Sequence, residues 1–424
     1  MNTVILLGIV ALLLFLRQPL LVILLSATAF IHLVWGKGDL EYIVEDMWIG
    51  LDKELILSIP LFILCGNVMT RGSIAQRLID LLAAITRPLP GGMAVACVLA
   101  CAVFAAISGS SIVTMLAIGS VMFPAMRQAG YDLKFTLGAI MSGGTLGIII
   151  PPSIPMIIYG LVTETSIVDL FAAGFGPGIL LTVAMSAYAI WFNRKRPAES
   201  FSFNEFTTAF VRGIWAVMMP VIMLGGIYSG FFTATEAAAV ALAYAMVVEI
   251  FVHRELKFRD FYNVVLEASK LGGSLFPVLA VALSLNIILI EHRVPQGMVA
   301  FMQGYIDSPI MFMLIINVLL LIVGCLMTTG EAILVLAPLL APVAAAYGYD
   351  KVLFGLIMIL NLEIGYLTPP VGRNLIVAMS AFKQPFGLLC RAAIPFILIM
   401  MVCLFIVVWQ PWIAMYFVDG RLWN

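Results

Sequence analysis

Residues 146–156 are LGIIIPPSIPM, and residues 364–374 are IGYLTPPVGRN. Each stretch places two consecutive prolines inside an otherwise apolar segment. A proline lacks the backbone N–H and clashes with the preceding helical turn, so a pair of prolines opens a helix and frees several carbonyl groups. We therefore predict two broken helices, one over Leu133 to Val162 and one over Lys351 to Lys383.

The composition around these breaks indicates that the helices cross a lipid bilayer. Of the 424 residues, 63% are hydrophobic and 11% are charged, more apolar surface than a soluble globule hides. Apolar runs long enough to cross about 30 Å of hydrocarbon recur, as in Ile214 to Phe232 and Ile394 to Phe417. The run Thr3 to Leu16 has no basic residue before it and no cleavage pattern, so we expect a permanent span in a mature chain that starts near Met1. The predicted fold class is an all-α polytopic membrane protein.

The basic residues predict which ends of these spans face the cytoplasm. With the N-terminus outside and the spans alternating, 16 of the 22 Lys and Arg fall on the cytoplasmic side. Arg373 falls in a membrane segment, and five fall outside: Lys37, Lys53, Arg293, Lys351 and Arg421. The opposite orientation would invert this bias, so we expect both termini on the outer side.

This threading requires two segments that begin and end on the same side of the membrane. The first runs from Gly91 to Arg127 around Ser108-Gly109-Ser110-Ser111, and it opens inward. The second runs from Pro309 to Tyr347 around Thr328-Thr329-Gly330-Glu331, and it opens outward. Both are predicted to be re-entrant helical hairpins.

A shift of 218 residues superposes these features in one register. Gly130-Tyr131-Asp132 falls on Gly348-Tyr349-Asp350, Pro151-Pro152 falls on Pro369-Pro370, and Ser110-Ser111 falls on Thr328-Thr329. Since the charges place one copy starting inside and the other outside, we predict an inverted-topology repeat. Secondary transporters are commonly built this way, with their sites near the midplane at interrupted helices.

The breaks and tips together predict ion binding. Non-helical backbone at membrane depth persists only against protein or a wet cavity, and freed carbonyls beside Ser or Thr hydroxyls are hard ligands suited to sodium. The N-termini of the opposing half-helices favour an anion. Close packing is the alternative role of Gly and Ser in membrane helices, but four motifs paired by symmetry favour function.

Other function classes find little support in the sequence. The net charge is −1, so no basic footprint for nucleic acid is present. The six cysteines lie in apolar stretches and the three histidines are far apart, which gives no catalytic or metal constellation. A lipid-modifying membrane enzyme would need an acid/base or metal set that we do not find. A channel is disfavoured because sequestered midplane sites bind solute too firmly for rapid flow.

A family resemblance is most evident in three segments: residues 107–111, 146–156 and 361–372. The likeness extends over nearly the whole chain. They resemble the large membrane (M) subunit of TRAP, the tripartite ATP-independent periplasmic transporters. The resemblance implies a sodium-driven elevator mechanism in the bacterial inner membrane, in which a periplasmic binding (P) protein delivers an organic acid. It also implies a small four-helix membrane (Q) subunit, which we expect to be a separate chain because the first span here begins at once.

The resemblance implies Na⁺ as coupling ion and two sodium sites. The first would comprise Ser108, Gly109, Ser110, Ser111, Gly147, Pro151, Pro152 and Ser153. The second would comprise Thr328, Thr329, Gly330, Gly365, Thr368, Pro369 and Gly372. The expected substrate-binding residues are Ser110, Ser153, Arg373 and Asn374. Arg373 and Lys351 depart from the family pattern, where an apolar residue and a proline are usual, and the Arg373 departure bears on substrate choice.

Ionisable side chains at membrane depth are costly and are functional candidates. Arg373 pairs either with a substrate carboxylate or with Glu363 or Glu331 in a structural ion pair, and the sequence leaves both open. For Glu331, a further alternative to ion pairing is exposure to water. For Glu363, it is a role as a proton-coupling group. Asn361, Asn374 and Asn286 are the neutral polar candidates.

Two segments outside the repeats carry their own expectations. The acidic stretch Trp35 to Glu54 is expected to be a loop, either a solvated face or a docking surface for the binding protein. Arg71 to Arg87 is predicted to be an amphipathic helix along the inner interface that braces the scaffold.

The predicted organisation alternates scaffold with transport segments. Residues 1–88, 164–308 and 384–424 form the scaffold, with a second arm helix in the middle one, and residues 89–163 and 309–383 form the transport domain. The alternative function is a stand-alone sodium/carboxylate symporter of the divalent-anion type, which needs no binding protein. Dicarboxylate, sugar acid and sialic acid all stay open as substrates.

Overall fold

The computed structural model describes residues 2–36, 38 and 40–418, and the regular structure in these ranges is helical. Met1, Lys37, Asp39 and Arg421, which enter the expectations above, lie outside the described residues. Within the described part, nine helical segments are long and apolar enough to cross a membrane. The prediction of an all-α polytopic membrane protein is confirmed.

The predicted hairpins and broken helices have helix boundaries close to those expected from the sequence. The first set comprises α6 (Gly92–Ser108), α7 (Ser111–Gln128), α8 (Leu133–Ile149) and α9 (Ile154–Thr163). The second set comprises α15 (Pro309–Leu326), α16 (Thr329–Ala346), α17 (Lys351–Tyr366) and α18 (Arg373–Phe382).

The remaining helices flank these two sets. Before the first set come α1 (Asn2–Phe15), α2 (Leu20–Val34), α3 (Glu41–Leu51), α4 (Ser58–Arg71) and α5 (Ile74–Thr86). Between the sets come α10 (Ile167–Phe192), α11 (Phe203–Tyr228), α12 (Ala234–Val247), α13 (Phe258–Glu291) and α14 (Val294–Tyr305). After the second set come α19 (Phe386–Trp409) and α20 (Trp412–Met415).

The two sets match in register as well as in order. Helices α7 and α16 have 18 residues each, and their first residues, Ser111 and Thr329, are 218 positions apart. At the same offset, Asp132 and Asp350 cap α8 and α17 by accepting hydrogen bonds from backbone N–H groups of the first turn. Such caps explain why both helices begin where they do.

The two sets also interlock. Helix α9, from the first break, packs against α16 of the second hairpin, while α18, from the second break, packs against α7 of the first hairpin. A Cβ atom at Gly330 would lie 3.3 Å from Ile158 Cδ1, which shows how closely α16 and α9 approach. Each hairpin is therefore held by a half-helix from the other set.

Some of the segments that the charges predict to be cytoplasmic lie close together. They surround a cavity of about 790 Å³ lined by Arg87, Tyr131, Arg196 and Arg212, among others. The Arg196 guanidinium lies over the Tyr131 ring, 3.8 Å from its centroid. This contact joins the segment after α10 to the turn between α7 and α8.

The expected loop from Trp35 to Glu54 is wrong over most of its length, because residues 41–51 form α3. This helix packs on α2 and α13, and a Cβ atom at Gly50 would lie 2.7 Å from Leu283 Cβ. Its Asp46 carboxylate lies 3.6 Å from His32 Nε2 and accepts a hydrogen bond from the Ser284 hydroxyl at 3.5 Å. Much of the acidic stretch is thus a helix packed against α2 and α13.

The predicted arm helix exists as α5, but it begins at Ile74 rather than Arg71, which ends α4. The Glu249 carboxylate, fully buried, accepts hydrogen bonds from the Ser73 and Ile74 N–H groups at 3.2 and 3.0 Å. Its negative charge suits the N-terminus of α5. This cap comes from the π-helical turn Val248–Val252 after α12, so it ties the start of α5 to the end of α12.

Two predicted spans end earlier than expected. The last long helix, α19, ends at Trp409 instead of Phe417, because Pro411 interrupts the apolar run before α20. The run from Ile214 to Phe232 belongs to α11, which ends at Tyr228. This helix also begins earlier than the run, at Phe203, where the Ser202 hydroxyl accepts a hydrogen bond from the Glu205 N–H.

Candidate functional site

The first hairpin tip packs directly against the first break. Gly109, between α6 and α7, has a left-handed conformation with φ of 58°, and its carbonyl accepts a hydrogen bond from the Ile154 N–H at 3.3 Å. A Cβ atom at Gly147 would lie 2.5 Å from the Ser110 carbonyl oxygen, so this approach requires glycine. The Ser108 hydroxyl lies 2.6 Å from the Thr114 hydroxyl. The residues expected to form the first sodium site are therefore brought together.

The second hairpin tip meets the second break in a similar way. The Gly372 N–H donates to the Cys325 carbonyl at 3.2 Å, and Gly372 has a left-handed φ of 54°. A Cβ atom at Gly365 would lie 2.4 Å from the Gly324 carbonyl carbon. The Thr368 hydroxyl donates to the Ile364 carbonyl at 2.9 Å. Both breaks contain a cis Pro–Pro bond, at Pro151-Pro152 and at Pro369-Pro370.

Both tips open onto one cavity of about 350 Å³. Residues 108–113 of the first hairpin and 328–331 of the second line it, together with Ile154 and Pro155 after the first break and Tyr366 and Arg373 at the second. The opposite wall comes from two helices of the predicted scaffold: Ile63 of α4, and Leu271, Ser274, Leu275 and Val278 of α13. The cavity lies at the boundary between the predicted transport and scaffold segments.

The four residues expected to bind substrate divide into two groups. Ser110 and Arg373 line the cavity, and Arg373 is exposed. Ser153 and Asn374 are fully buried and are not among the lining residues of the described cavity. The Ser153 hydroxyl donates to the Ile148 carbonyl at 2.7 Å and accepts from the Met156 N–H at 3.5 Å, so it shapes the first break.

Beneath the cavity, buried polar side chains connect the first tip to the second break. Asn374 Nδ2 donates to Ser111 Oγ at 2.7 Å, and the Thr329 N–H donates to the Tyr366 hydroxyl at 2.7 Å. The Ser111 and Thr329 hydroxyls both face the carboxylate of Glu363, which is fully buried. The second break therefore holds polar contacts to both tips.

The expected structural ion pair of Arg373 is not found. Among the described residues, Arg373 forms no ion pair with Glu363 or Glu331. Glu331 instead caps α16: its carboxylate accepts from the Thr328 N–H at 3.1 Å, while the Thr328 hydroxyl accepts from the Glu331 N–H at 3.2 Å. The guanidinium group of Arg373 is thus free to meet an anion in the cavity.

The other polar candidates lie away from the cavity lining. Asn361 Nδ2 donates to Asn317 Oδ1 at 2.6 Å and to the Asn317 carbonyl at 3.1 Å, which ties α17 to α15. Asn286 is buried in α13, and its Nδ2 has no hydrogen-bond partner among the described residues.

Sequence reasoning missed Tyr366 and the scaffold wall. Tyr366 lies inside the second break motif, and the isoleucine at the matching position, Ile148, gave no polar signal. The face of α13 that lines the cavity has small and apolar residues like those of any membrane helix, so the sequence gives no signal of its role. Its place opposite the tips depends on tertiary packing.

The arrangement is suited to a cation held by neutral oxygens together with an organic anion. The described residues include no group of three or more His, Cys, Asp or Glu side chains that could hold a metal ion. Hydroxyl and carbonyl oxygens, the groups that converge at the tips, are the ligands that hard cations prefer. Arg373 beside them offers paired donors to a carboxylate.

The chain is similar to known transport proteins. Residues 7–413 match the family model described as tripartite ATP-independent periplasmic transporter, DctM component. The chain is 42% identical to the C4-dicarboxylate TRAP transporter large permease protein DctM of Pseudomonas aeruginosa, over 85% of both chains. It is 39% identical to the isethionate TRAP transporter permease protein DctMQ of Oleidesulfovibrio alaskensis, over 90% of this chain and 61% of that longer protein.

A solved structure has a similar fold. The Neisseria gonorrhoeae protein MtrF, described as illuminating a class of antimetabolite efflux pumps, superposes with a TM-score of 0.58. The match covers 96% of this chain and 94% of MtrF at 10% sequence identity. At that identity the likeness concerns the fold alone.

Proposed function

The chain belongs to the DctM component family of tripartite ATP-independent periplasmic transporters, and from this premise we propose that it takes up an organic acid by sodium-coupled symport. It works as the large permease of a multi-pass inner-membrane complex and catalyses no covalent reaction. A periplasmic binding protein delivers the substrate, and a small four-helix subunit completes the scaffold. The N-terminus lies on the periplasmic side, as the distribution of Lys and Arg favours.

One observation carries the proposal: both hairpin tips and Arg373 border a single cavity whose other wall is scaffold helix α13. A substrate bound there touches groups from both halves of the repeat. Sodium at the tips would fix them around it, so that binding of ion and anion are coupled. This is the interrupted-helix arrangement in which transporters hold ions and substrates.

The position of the cavity supports an elevator mechanism. The proposed moving body comprises the two hairpins and the two broken helices, which interlock through the α9–α16 and α18–α7 contacts. The α13 side chains that face the tips are leucine, serine and valine, which form no ion pairs that would resist sliding. The inverted relation of the two sets would let one cavity open alternately to either side.

The substrate class follows from the charge in the cavity. The cavity lining has two charged residues. The Glu331 carboxylate is engaged in capping α16, whereas Arg373 is exposed without an ionic partner among the described residues, so an organic anion would pair with it. The names of the two relatives above refer to C4-dicarboxylate and isethionate, both organic anions. We propose an organic acid, with dicarboxylates, sugar acids and sialic acids as the candidates to test.

Sodium-dependent uptake in proteoliposomes that contain the full complex tests the function. Ser110→Ala and Thr328→Ala each remove one tip hydroxyl, and each should raise the half-saturating sodium concentration while assembly with the small subunit is intact. Arg373→Gln should raise the half-saturating substrate concentration and leave the sodium dependence of binding near normal. Unchanged sodium dependence in both tip variants, at normal protein levels, would show that the tips are packing elements.

Omission of the binding protein separates the proposal from a stand-alone symporter of the divalent-anion type. The labelled probes are succinate, gluconate, isethionate and N-acetylneuraminate, each tested with and without the periplasmic protein. Uptake that needs the binding protein supports the tripartite transporter. Equal uptake without it supports the stand-alone symporter.

A further inference from the structure

Glu363 is a buried carboxylate whose charge nothing in the described structure balances. It lies in α17, two residues before Gly365, and its exposed fraction is 0%. Neither carboxylate oxygen has a hydrogen bond of normal geometry among the described residues, and no Lys, Arg or His lies within ion-pair distance there. A carboxylate taken out of water needs a compensating charge or proton.

The groups around Glu363 are oxygen ligands from both hairpins. The Ser111 and Thr329 hydroxyls face its carboxylate, and Thr329 Oγ1 is itself buried without a partner. Asn374, whose Nδ2 donates to Ser111 Oγ, has an Oδ1 atom that is also buried and unpartnered. The Glu363 carboxylate therefore lies beside two hydroxyl oxygens, one of them without a partner, and oxygen atoms of this kind are the ligands that a small hard cation prefers.

We propose that Glu363, Ser111 and Thr329 form a third cation site between the two hairpin tips. It is centred on the Glu363 carboxylate and takes one hydroxyl from each of the two expected sodium sites. The inference rests on the proposed sodium coupling and adds an ion to it. Ser111 and Thr329 begin α7 and α16, so a cation between them joins both hairpins to α17. The ion would be Na⁺, since the site offers oxygen ligands and one negative charge.

The third site has no twin in the other half of the repeat. The residue that matches Glu363 at the offset of 218 is Thr145. Its hydroxyl donates to the Ser142 carbonyl at 2.6 Å, so it is already satisfied within α8. The pseudo-symmetry therefore gives two similar sites, and Glu363 breaks it by adding a single central one.

A third sodium ion changes the charge moved in each cycle. Two sodium ions with a dianion move no net charge, whereas three move one positive charge inward. Uptake of a dianion would then be accelerated by a negative membrane potential. With a monoanion as substrate, three sodium ions would move two net positive charges inward in each cycle.

Equilibrium binding of ²²Na⁺ to the purified full chain counts the sites, with Na⁺ alone as the probe. The wild-type chain should bind three ions and Glu363→Gln two. Thr145→Val, the matched control at the pseudo-symmetric position, should bind three. Three ions bound by Glu363→Gln, or two by the wild-type chain, would overturn the third site; the latter includes the case in which Glu363 holds a proton instead.

Thermal unfolding supplies a second test that does not require ion counting, because Glu363→Gln should have opposite effects on stability with and without sodium. In choline buffer without sodium, Glu363→Gln should melt at a higher temperature than the wild-type chain, because the uncompensated charge is gone. Addition of sodium should raise its melting temperature less than that of the wild type. A variant less stable than the wild type in choline, with the full sodium-induced rise, contradicts the proposal.

Double variants test whether both tips serve the same ion. Ser111→Ala and Thr329→Ala should each weaken sodium binding in the wild-type background, and the part due to the third ion should vanish in the Glu363→Gln background. Fully additive effects would refute a shared site. Absence of any sodium binding by the wild-type chain would instead refute the sodium coupling of the proposed function, so the two failures are distinguishable.

Discussion

Gly147→Ala tests whether the close fit of the first tip against its break creates the ion site. The added Cβ atom would lie 2.5 Å from the Ser110 carbonyl oxygen and 2.6 Å from Thr114 Oγ1. Ordinary contact begins at 3.4 Å, so tip and break must separate by about 0.9 Å, the difference between 3.4 and 2.5 Å. The nearest neighbour is backbone, which cannot rotate away as a side-chain end can.

The size of the effect follows from ligand distances. Oxygen ligands of hard cations lie about 2.3–2.6 Å from the ion. Moving one of them away by about 0.9 Å therefore removes it from the coordination shell. We expect at least a tenfold rise in the half-saturating sodium concentration, which corresponds to about 1.4 kcal/mol. The overpacking should also lower the free energy of unfolding by about 1–3 kcal/mol.

The assay combines sodium-dependent uptake by the reconstituted complex with thermal unfolding of the purified chain. Gly225→Ala is the matched control, because it lies inside α11 and its added Cβ atom meets nothing within 4 Å. This control should keep the wild-type sodium dependence. If Gly147→Ala also keeps it at wild-type stability, the close approach of tip and break is not what positions the ion, and the reasoning fails.

Three further predictions concern topology, partners and the arm. Cysteines placed at the exposed positions Ser200 and Asp307 should be labelled from opposite sides of the membrane, and labelling from one side would exclude the inverted repeat. Without its small subunit and binding protein, the chain in liposomes should accumulate no succinate under a sodium gradient; robust uptake would contradict this. Glu249→Ala should lower the free energy of unfolding by about 2–4 kcal/mol, since two backbone N–H groups, one buried and one partly buried, lose their acceptor. Glu255→Ala, which breaks an exposed pair with Arg77, should cost under about 1 kcal/mol in the same unfolding measurement.

The hairpins and broken helices were predictable because their signals are local. Paired prolines open a helix wherever they occur, and Asp132 and Asp350 cap the next helix through their own side chains. The register of 218 residues then linked the two sets without any knowledge of the fold. Predicted and observed boundaries agree within a few residues at each of these elements.

The misses arise where the deciding contact is distant in sequence. Helix α3 was expected to be a loop because its acidic residues suggested solvent, yet Asp46 lies near His32 and Ser284, and Ser284 is 238 residues away. The start of α5 was misplaced because its cap, Glu249, is 175 residues from Ile74. No window of local sequence contains either contact.

The polar residues of the second break illustrate how symmetry and function separate. A perfect repeat would place the same chemistry at both breaks, but Glu363, Arg373 and Asn374 face Thr145, Pro155 and Met156 at the matching positions. The first break thus has a satisfied hydroxyl and two apolar residues where the second has two charges and an amide. In the proposed mechanism, the substrate and coupling chemistry therefore lies mainly in the second set, while the hairpin geometry common to both sets would supply the paired ion sites. Such asymmetry would let the site distinguish the two ends of an asymmetric organic acid, because a site with strict two-fold symmetry would present equivalent groups to both ends.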